Sequence, residues 1–145
     1  METIEINNEL SEYKDCFIGT FPCDNIPIVS HRPASFIVNI DPSNKPGIHW
    51  VSIWLKKNKT GEFFDPFGYP PLQFEIANYL ESQCPNGWCY NTIMLQDIFS
   101  ITCGKYCILF VKLRCHNIKF IDFIGLFSTV TKINEKILEK IYKSL

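Results

Sequence analysis

The sequence has no excess of charge of either sign. Fourteen Lys and Arg stand against 15 Asp and Glu, a formal net charge of −1. No global field therefore draws in nucleic acid or an anionic membrane. It also lacks a long apolar run. Residues 106–111 are the densest stretch but lie between Lys105 and Lys112, and residues 120–127 are broken by Asp122. Neither approaches the roughly 20 residues that cross a bilayer. The first residues, Met-Glu-Thr-Ile-Glu-Ile, are acidic and polar, the reverse of a secretory leader. A soluble, non-secreted chain without membrane partners is expected. Absent too is the tight Cys-x-x-Cys spacing of structural zinc sites. Cys84 and Cys89, five apart across Pro85 and Gly87, match it poorly, so no metal and no cofactor is expected. Seven cysteines, an odd number without a leader, predict free thiols in a reducing compartment rather than a disulfide framework.

What is present suits one ordinary domain over residues 1–145, with 46% hydrophobic and 14% aromatic residues to build its core. No repeat or linker divides it. Turn-rich stretches fall at 22–27, 41–47, 66–71 and 84–87. Between them, β-branched and alternating patterns predict strands over 35–40, 48–55 and 62–65, with Thr60-Gly61 turning the last two into a hairpin. A further strand is predicted over 88–95, and helices over 72–82 and 103–115. At the tail, 131–145, Ile133, Ile137, Leu138 and Ile141 form one helical stripe. Lys132, Lys136, Lys140 and Lys143 lie opposite, interleaved with Glu135 and Glu139, which favours a solvated face over a phosphate site. These elements predict an α+β fold, a central, mostly antiparallel sheet flanked by helices.

Chemistry concentrates in three segments: Gly47-Ile48-His49-Trp50, Asp65-Pro66-Phe67-Gly68, and Gln96 followed seven positions on by Cys103-Gly104. A thiol is mostly protonated at neutral pH, and a helix start or a neighbouring imidazolium favours its thiolate. Cys103 follows Ser100-Ile101-Thr102, residues able to cap a helix, and precedes an apolar run. Gly104 leaves room for a substrate backbone. Of the three histidines, His31 precedes Arg32-Pro33 in a turn, and His116 falls at the far end of the helix. His49, in a predicted strand, is the remaining candidate acid and base. Hairpin pairing returns Asp65 beside it, where a carboxylate can orient the imidazole. Gln96 offers a neutral N–H donor that, with a backbone N–H, suits an oxyanion. Each residue alone has a plainer reading: a core cysteine, a structural histidine, a turn aspartate. The weight lies in the combination and its order.

That order resembles the adenovirus protease (adenain) family, related to the SUMO and other ubiquitin-like-protein proteases. Phe17-Ile18-Gly19-Thr20-Phe21 and Phe36-Ile37-Val38-Asn39 are similar to adenain as well, and neither is expected of the SUMO proteases. At the acid position adenain has glutamate, whereas Asp65 follows the SUMO-protease habit. The resemblance implies a papain-like, circularly permuted fold with Cys103 as nucleophile, His49 as base and acid, Asp65 as orienting acid and Gln96 in the oxyanion hole. Trp50, with Gly47 and Gly104, would bind substrate in a narrow channel. The implied function is a cysteine endopeptidase of a double-stranded DNA virus or related mobile element. It would cut capsid precursor proteins at glycine-containing sites during particle maturation, in the virion and in infected-cell cytoplasm or nucleus. The expected enzyme is a monomer. Activation by DNA is not expected at this net charge; an activating peptide, bonded through Cys84 or Cys89, remains open. The alternatives are an isopeptidase acting on a ubiquitin-like protein and a non-catalytic binding module of the same fold.

Overall fold

The computed structural model describes residues 1–44 and 49–145, so Gly47, expected to bind substrate, lies outside the described residues. After α1 (Thr3–Glu9) and a short turn of 3-10 helix, β1 (Phe17–Pro22), β2 (Ala34–Asn39), β3 (Trp50–Leu55) and β4 (Gly61–Phe64) follow in order. Then come α2 (Phe74–Gln83), β5 (Trp88–Tyr90), α3 (Cys103–Cys115), α4 (Phe120–Ile124) and α5 (Thr131–Ser144). The five strands form one sheet in chain order. Its two central pairings, β2 with β3 and β3 with β4, are antiparallel. Both edge pairings are parallel. The expected antiparallel hairpin is thus the middle of a mixed sheet. Parallel edges arise because the 23–33 loop and α2 each carry the chain back to the end where the previous strand began.

Every residue of β2 and β3 is buried, Ser35 and Ser52 included. Both faces of the sheet are covered, so the strands read as apolar runs with little alternation. Val51, Ile53 and Leu55 pack with Phe36, Val38 and Phe63 against Ile76 and Leu80 of α2. On the other face Ile37, Trp50, Trp54 and Phe64 meet α3. Residues 106–111 of α3 are all buried because the sheet, α1, α4 and α5 surround this helix. The densest apolar run is therefore the central helix of the molecule.

Gly61, expected in the hairpin turn, instead opens β4, the turn falling at 57–59, and two further boundaries differ for local reasons. Helix α2 starts at Phe74, since Pro70 and Pro71 hold the preceding chain extended. Strand β5 ends at Tyr90 because the Asn91 side chain takes over the pairing. Its Oδ1 accepts the Asp65 N–H at 3.0 Å, and its Nδ2 donates to the Asp65 carbonyl at 2.6 Å. On the far rim Arg114 closes the fold. It grips Glu62 with two N–H donors at 2.8 and 3.0 Å and lies 4.7 Å over the Trp54 ring.

The expectation of free thiols throughout needs correction. Cys16 and Cys115 form a disulfide, with Cα atoms 6.3 Å apart, which joins the approach to β1 to the last residue of α3. Cys23, Cys84, Cys89, Cys103 and Cys107 are free. Parity and the lack of a leader argue about compartments; they carry no information on which distant thiols the fold brings together. The bridge closes a separation of 99 residues. Cys115→Ser is expected to lower unfolding free energy by about 2–5 kcal/mol. Urea titration checks this, and wild-type protein in reductant should match the variant.

Candidate active site

The β3–β4 register ends at Ser52 opposite Phe64, and His49 and Asp65 stand just beyond the two strands. His49 is the residue just before β3, not within a strand as expected. Its Nε2 lies 2.8 Å from Asp65 Oδ1, and the Phe67 ring stacks on it at 4.8 Å. The same oxygen accepts the Phe67 N–H at 2.8 Å. Asp65 is held in turn by the Asn91 clamp and by the turn its carbonyl closes with the Gly68 N–H at 2.7 Å. Gly68 sits at φ +78°, and a Cβ there would fall 2.7 Å from the Ile93 backbone, so glycine is required. The segment Asp65-Pro66-Phe67-Gly68 is therefore a folded bracket around the imidazole. Asp65, though shorter than a glutamate, reaches it fully.

Cys103 opens α3. With His49 Nε2 committed to Asp65, Nδ1 is the nitrogen left for the sulfur. Burial disfavours the Cys103 thiolate, yet the His49 hydrogen bond, the Trp50 and Gly104 N–H groups and the imidazolium charge overcome it. The thiol is lowered overall. Burial likewise opposes charge on His49, but the Asp65 hydrogen bond, the Cys103 hydrogen bond and both charges push it up to about 9. A thiolate–imidazolium pair is thus favoured at neutral pH. The expected capping did not form: Thr102 precedes the helix but makes no side-chain cap, and its hydroxyl turns away to Glu135.

His49, Trp50, Phe67, Gln96 and Cys103 line one cavity of about 340 Å³ together with Met1, Ser100 and Ile101. Gln96 is buried and its N–H donates to the Pro66 carbonyl, which ties it to the bracket around His49. Its Nε2 donates to Ser100 O at 3.1 Å, and its Oε1 is buried without a partner. The second amide hydrogen is bonded to nothing among the described residues. Trp50 walls the cavity, and its indole N–H donates to the Met1 carbonyl at 3.2 Å. At Gly104 the space a side chain would fill is occupied by the Met1 side chain, 2.9 Å from a would-be Cβ, not left open to a substrate backbone as expected. His116 caps the far end of α3 and bonds Tyr13, while His31 lies by Ser30 in an exposed turn. A larger cavity of about 580 Å³ beside Cys89, Tyr90 and Phe120 contains neither Cys103 nor His49. Asn91 and Met1 escaped the sequence reading; an isolated asparagine after a strand and a first residue carry no local signal.

His49, Gln96 and Cys103 meet at one cavity of an α+β fold, with Asp65 buried and bonded to the imidazole, and this set and order are similar to those of cysteine peptidases. More narrowly, residues 17–84, which hold His49 and Asp65, match the family model for the adenovirus endoprotease. The chain is 30% identical to the protease of human adenovirus A serotype 12, over 69% of this chain and 56% of that one. It is 28% identical to the protease of snake adenovirus serotype 1, over 66% and 54% respectively. By sequence it is adenovirus-protease-like. It spans a little over half the length of these relatives. In fold it is similar to the crystal structure of an ASFV protease, with a TM-score of 0.67 at 16% identity, covering 97% of this chain and 65% of that chain.

The shifts at the pair make a pH prediction. Iodoacetamide should alkylate Cys103 with a midpoint below the ordinary thiol value of about 8.5. His49→Ala removes the imidazolium but leaves the burial, so the midpoint should move upward. Rate against pH, with the labelled cysteine located by mass spectrometry, measures both.

Proposed function

We propose that this chain is a cysteine endopeptidase that uses a Cys103–His49–Asp65 triad. The observation that carries the reading is the meeting of sulfur and imidazole in one cavity, with the Asp65 carboxylate bonded to that imidazole and one amide hydrogen of Gln96 left over after its bond to Ser100. Asp65 orients the ring and favours its charged form. The Cys103 thiolate adds to the peptide carbonyl carbon, and the carbonyl oxygen takes up negative charge. Gln96 Nε2–H and a backbone N–H at the start of α3 stabilise that charge. His49 gives its proton to the leaving amine, and an acyl-enzyme remains on the sulfur. Water, deprotonated by His49, then attacks the thioester and releases the acid.

The kinship and the cavity support a substrate reading. Trp50 and Met1 narrow it, which favours small residues before the scissile bond and supports cleavage at glycine-containing sites. The proposed substrates are capsid precursors of a DNA virus, cut during particle maturation in the virion or infected cell by a monomeric enzyme. Among the described residues no helix is long and apolar enough to cross a membrane.

Cys103→Ala should abolish cleavage of an internally quenched peptide with two glycines before the scissile bond, and leave the circular dichroism spectrum unchanged. Gln96→Ala should reduce kcat about 100- to 1,000-fold, the loss seen when one oxyanion donor is removed. Wild-type turnover in the cysteine variant would sink the triad. Efficient release of SUMO or ubiquitin from a C-terminal fusion would overturn the substrate class.

A further inference from the structure

Helix α5 reaches the segment that leads into the nucleophile through three side chains. Glu135 Oε1 accepts the Thr102 hydroxyl at 2.6 Å, and Oε2 accepts the Tyr106 hydroxyl at 2.6 Å and the Asp97 N–H at 3.4 Å. Thr131 donates its hydroxyl to Asp97 Oδ1 at 3.1 Å. Asn134, fully buried, donates to the Leu95 carbonyl at 3.1 Å and pairs with both backbone groups of Ser128 at 2.7 and 2.8 Å. These contacts bracket residues 95–102. Gln96 lies between Leu95 and Asp97, and Thr102 is the residue before Cys103. Leu138, buried in the core beside Ile141 and Tyr142, docks α5 independently of the polar contacts.

The Thr102 hydroxyl has a choice. At the start of a helix it would ordinarily accept an N–H from the first turn. Here it donates to Glu135 and pairs with Ser100 Oγ at 2.9 Å, so the first N–H groups of α3 stay uncapped. One of them, the Gly104 N–H, bonds the sulfur, and the mechanism above uses a backbone N–H there for the oxyanion. A carboxylate accepting three donors at once is a strong anchor, since hydrogen bonds to charged acceptors are about twice as strong as neutral ones.

We propose that Glu135 is a positioning residue for the active site: by holding Asp97, Thr102 and Tyr106 it fixes Gln96 and the first turn of α3 in the places that transition-state stabilisation needs. The inference rests on the roles assigned above to Cys103 and Gln96. It gives α5 a task beyond covering the core, and it turns the charged face of that helix into two parts. Glu135 faces the site, while Lys143 and Glu139 pair with each other in solvent.

Kinetics on the full chain test it, using the internally quenched glycine peptide and rates normalised to Cys103 titrated with iodoacetamide. Glu135→Ala should lower kcat about 10- to 100-fold, the scale of a misplacement near 1 Å, with little change in KM. Glu135→Gln, which keeps one oxygen acceptor, should recover part of the loss. The pH midpoint of Cys103 alkylation should move little, because His49 and the Trp50 N–H, which lie outside α3, outweigh the Gly104 N–H in setting it. Gln96→Ala should cost less in the Glu135→Ala background than in wild type, since both act on one donor. Additive losses, or a loss confined to KM, overturn the proposal. Hydrogen exchange needs no substrate: amides of residues 96–104 should exchange faster in Glu135→Ala, and unchanged exchange overturns the latch. A wild-type chain that cleaves nothing while its exchange still depends on Glu135 sinks the peptidase reading instead.

Discussion

The antiparallel pairing of β3 with β4 is the constraint on which the rest depends. It sets the ends of the two strands side by side, and so brings His49 and Asp65 to 2.8 Å although 16 residues separate them. Burial would otherwise drive His49 toward its neutral form. The Asp65 carboxylate and the Cys103 sulfur reverse that preference, and the charged ring in turn supports the Cys103 thiolate. The contact at the hairpin's open end and the sulfur on the other side of the ring together favour the charged imidazole.

Around this contact the fold builds support in layers. Phe67 stacks on the ring, Asn91 clamps the Asp65 backbone, and the Pro66 carbonyl receives the N–H groups of both Leu95 and Gln96. The acid side of the site and the oxyanion side are thus bonded to each other through one proline carbonyl. On the opposite flank α3 presents its first residue to the cavity while its middle is wholly buried. A helix with apolar neighbours on every side cannot slide or tilt without opening the core, so the sulfur stands on a rigid base. The Cys16–Cys115 bridge and the Arg114–Glu62 pair hold the other end of that helix.

Much of this was legible along the chain. Period and turn chemistry located the elements from β2 to α3 and the final helix but not α1, β1 or α4, and α3 begins and ends where the apolar run and its polar flanks require. The hairpin argument placed Asp65 beside His49 because strand pairing is a local rule with a fixed register. The mixed edges of the sheet were not legible, since parallel pairing depends on where long connections return. The disulfide was not legible either: two thiols almost a hundred residues apart have no local signature.

Residue types and their order determined the chemical inventory: a thiol before an apolar helix, a histidine and an acid across a hairpin, an amide seven positions ahead of the cysteine. Those follow from short-range rules that any stretch of chain obeys on its own. Only the tertiary structure decided that Thr102 would bond Glu135 instead of capping its helix, that Met1 would occupy the space beside Gly104, and that Gln96 would keep a hydrogen free. Each of these is a competition between a local partner and a distant one. Packing brings the distant partner within reach, and no window of sequence contains both competitors.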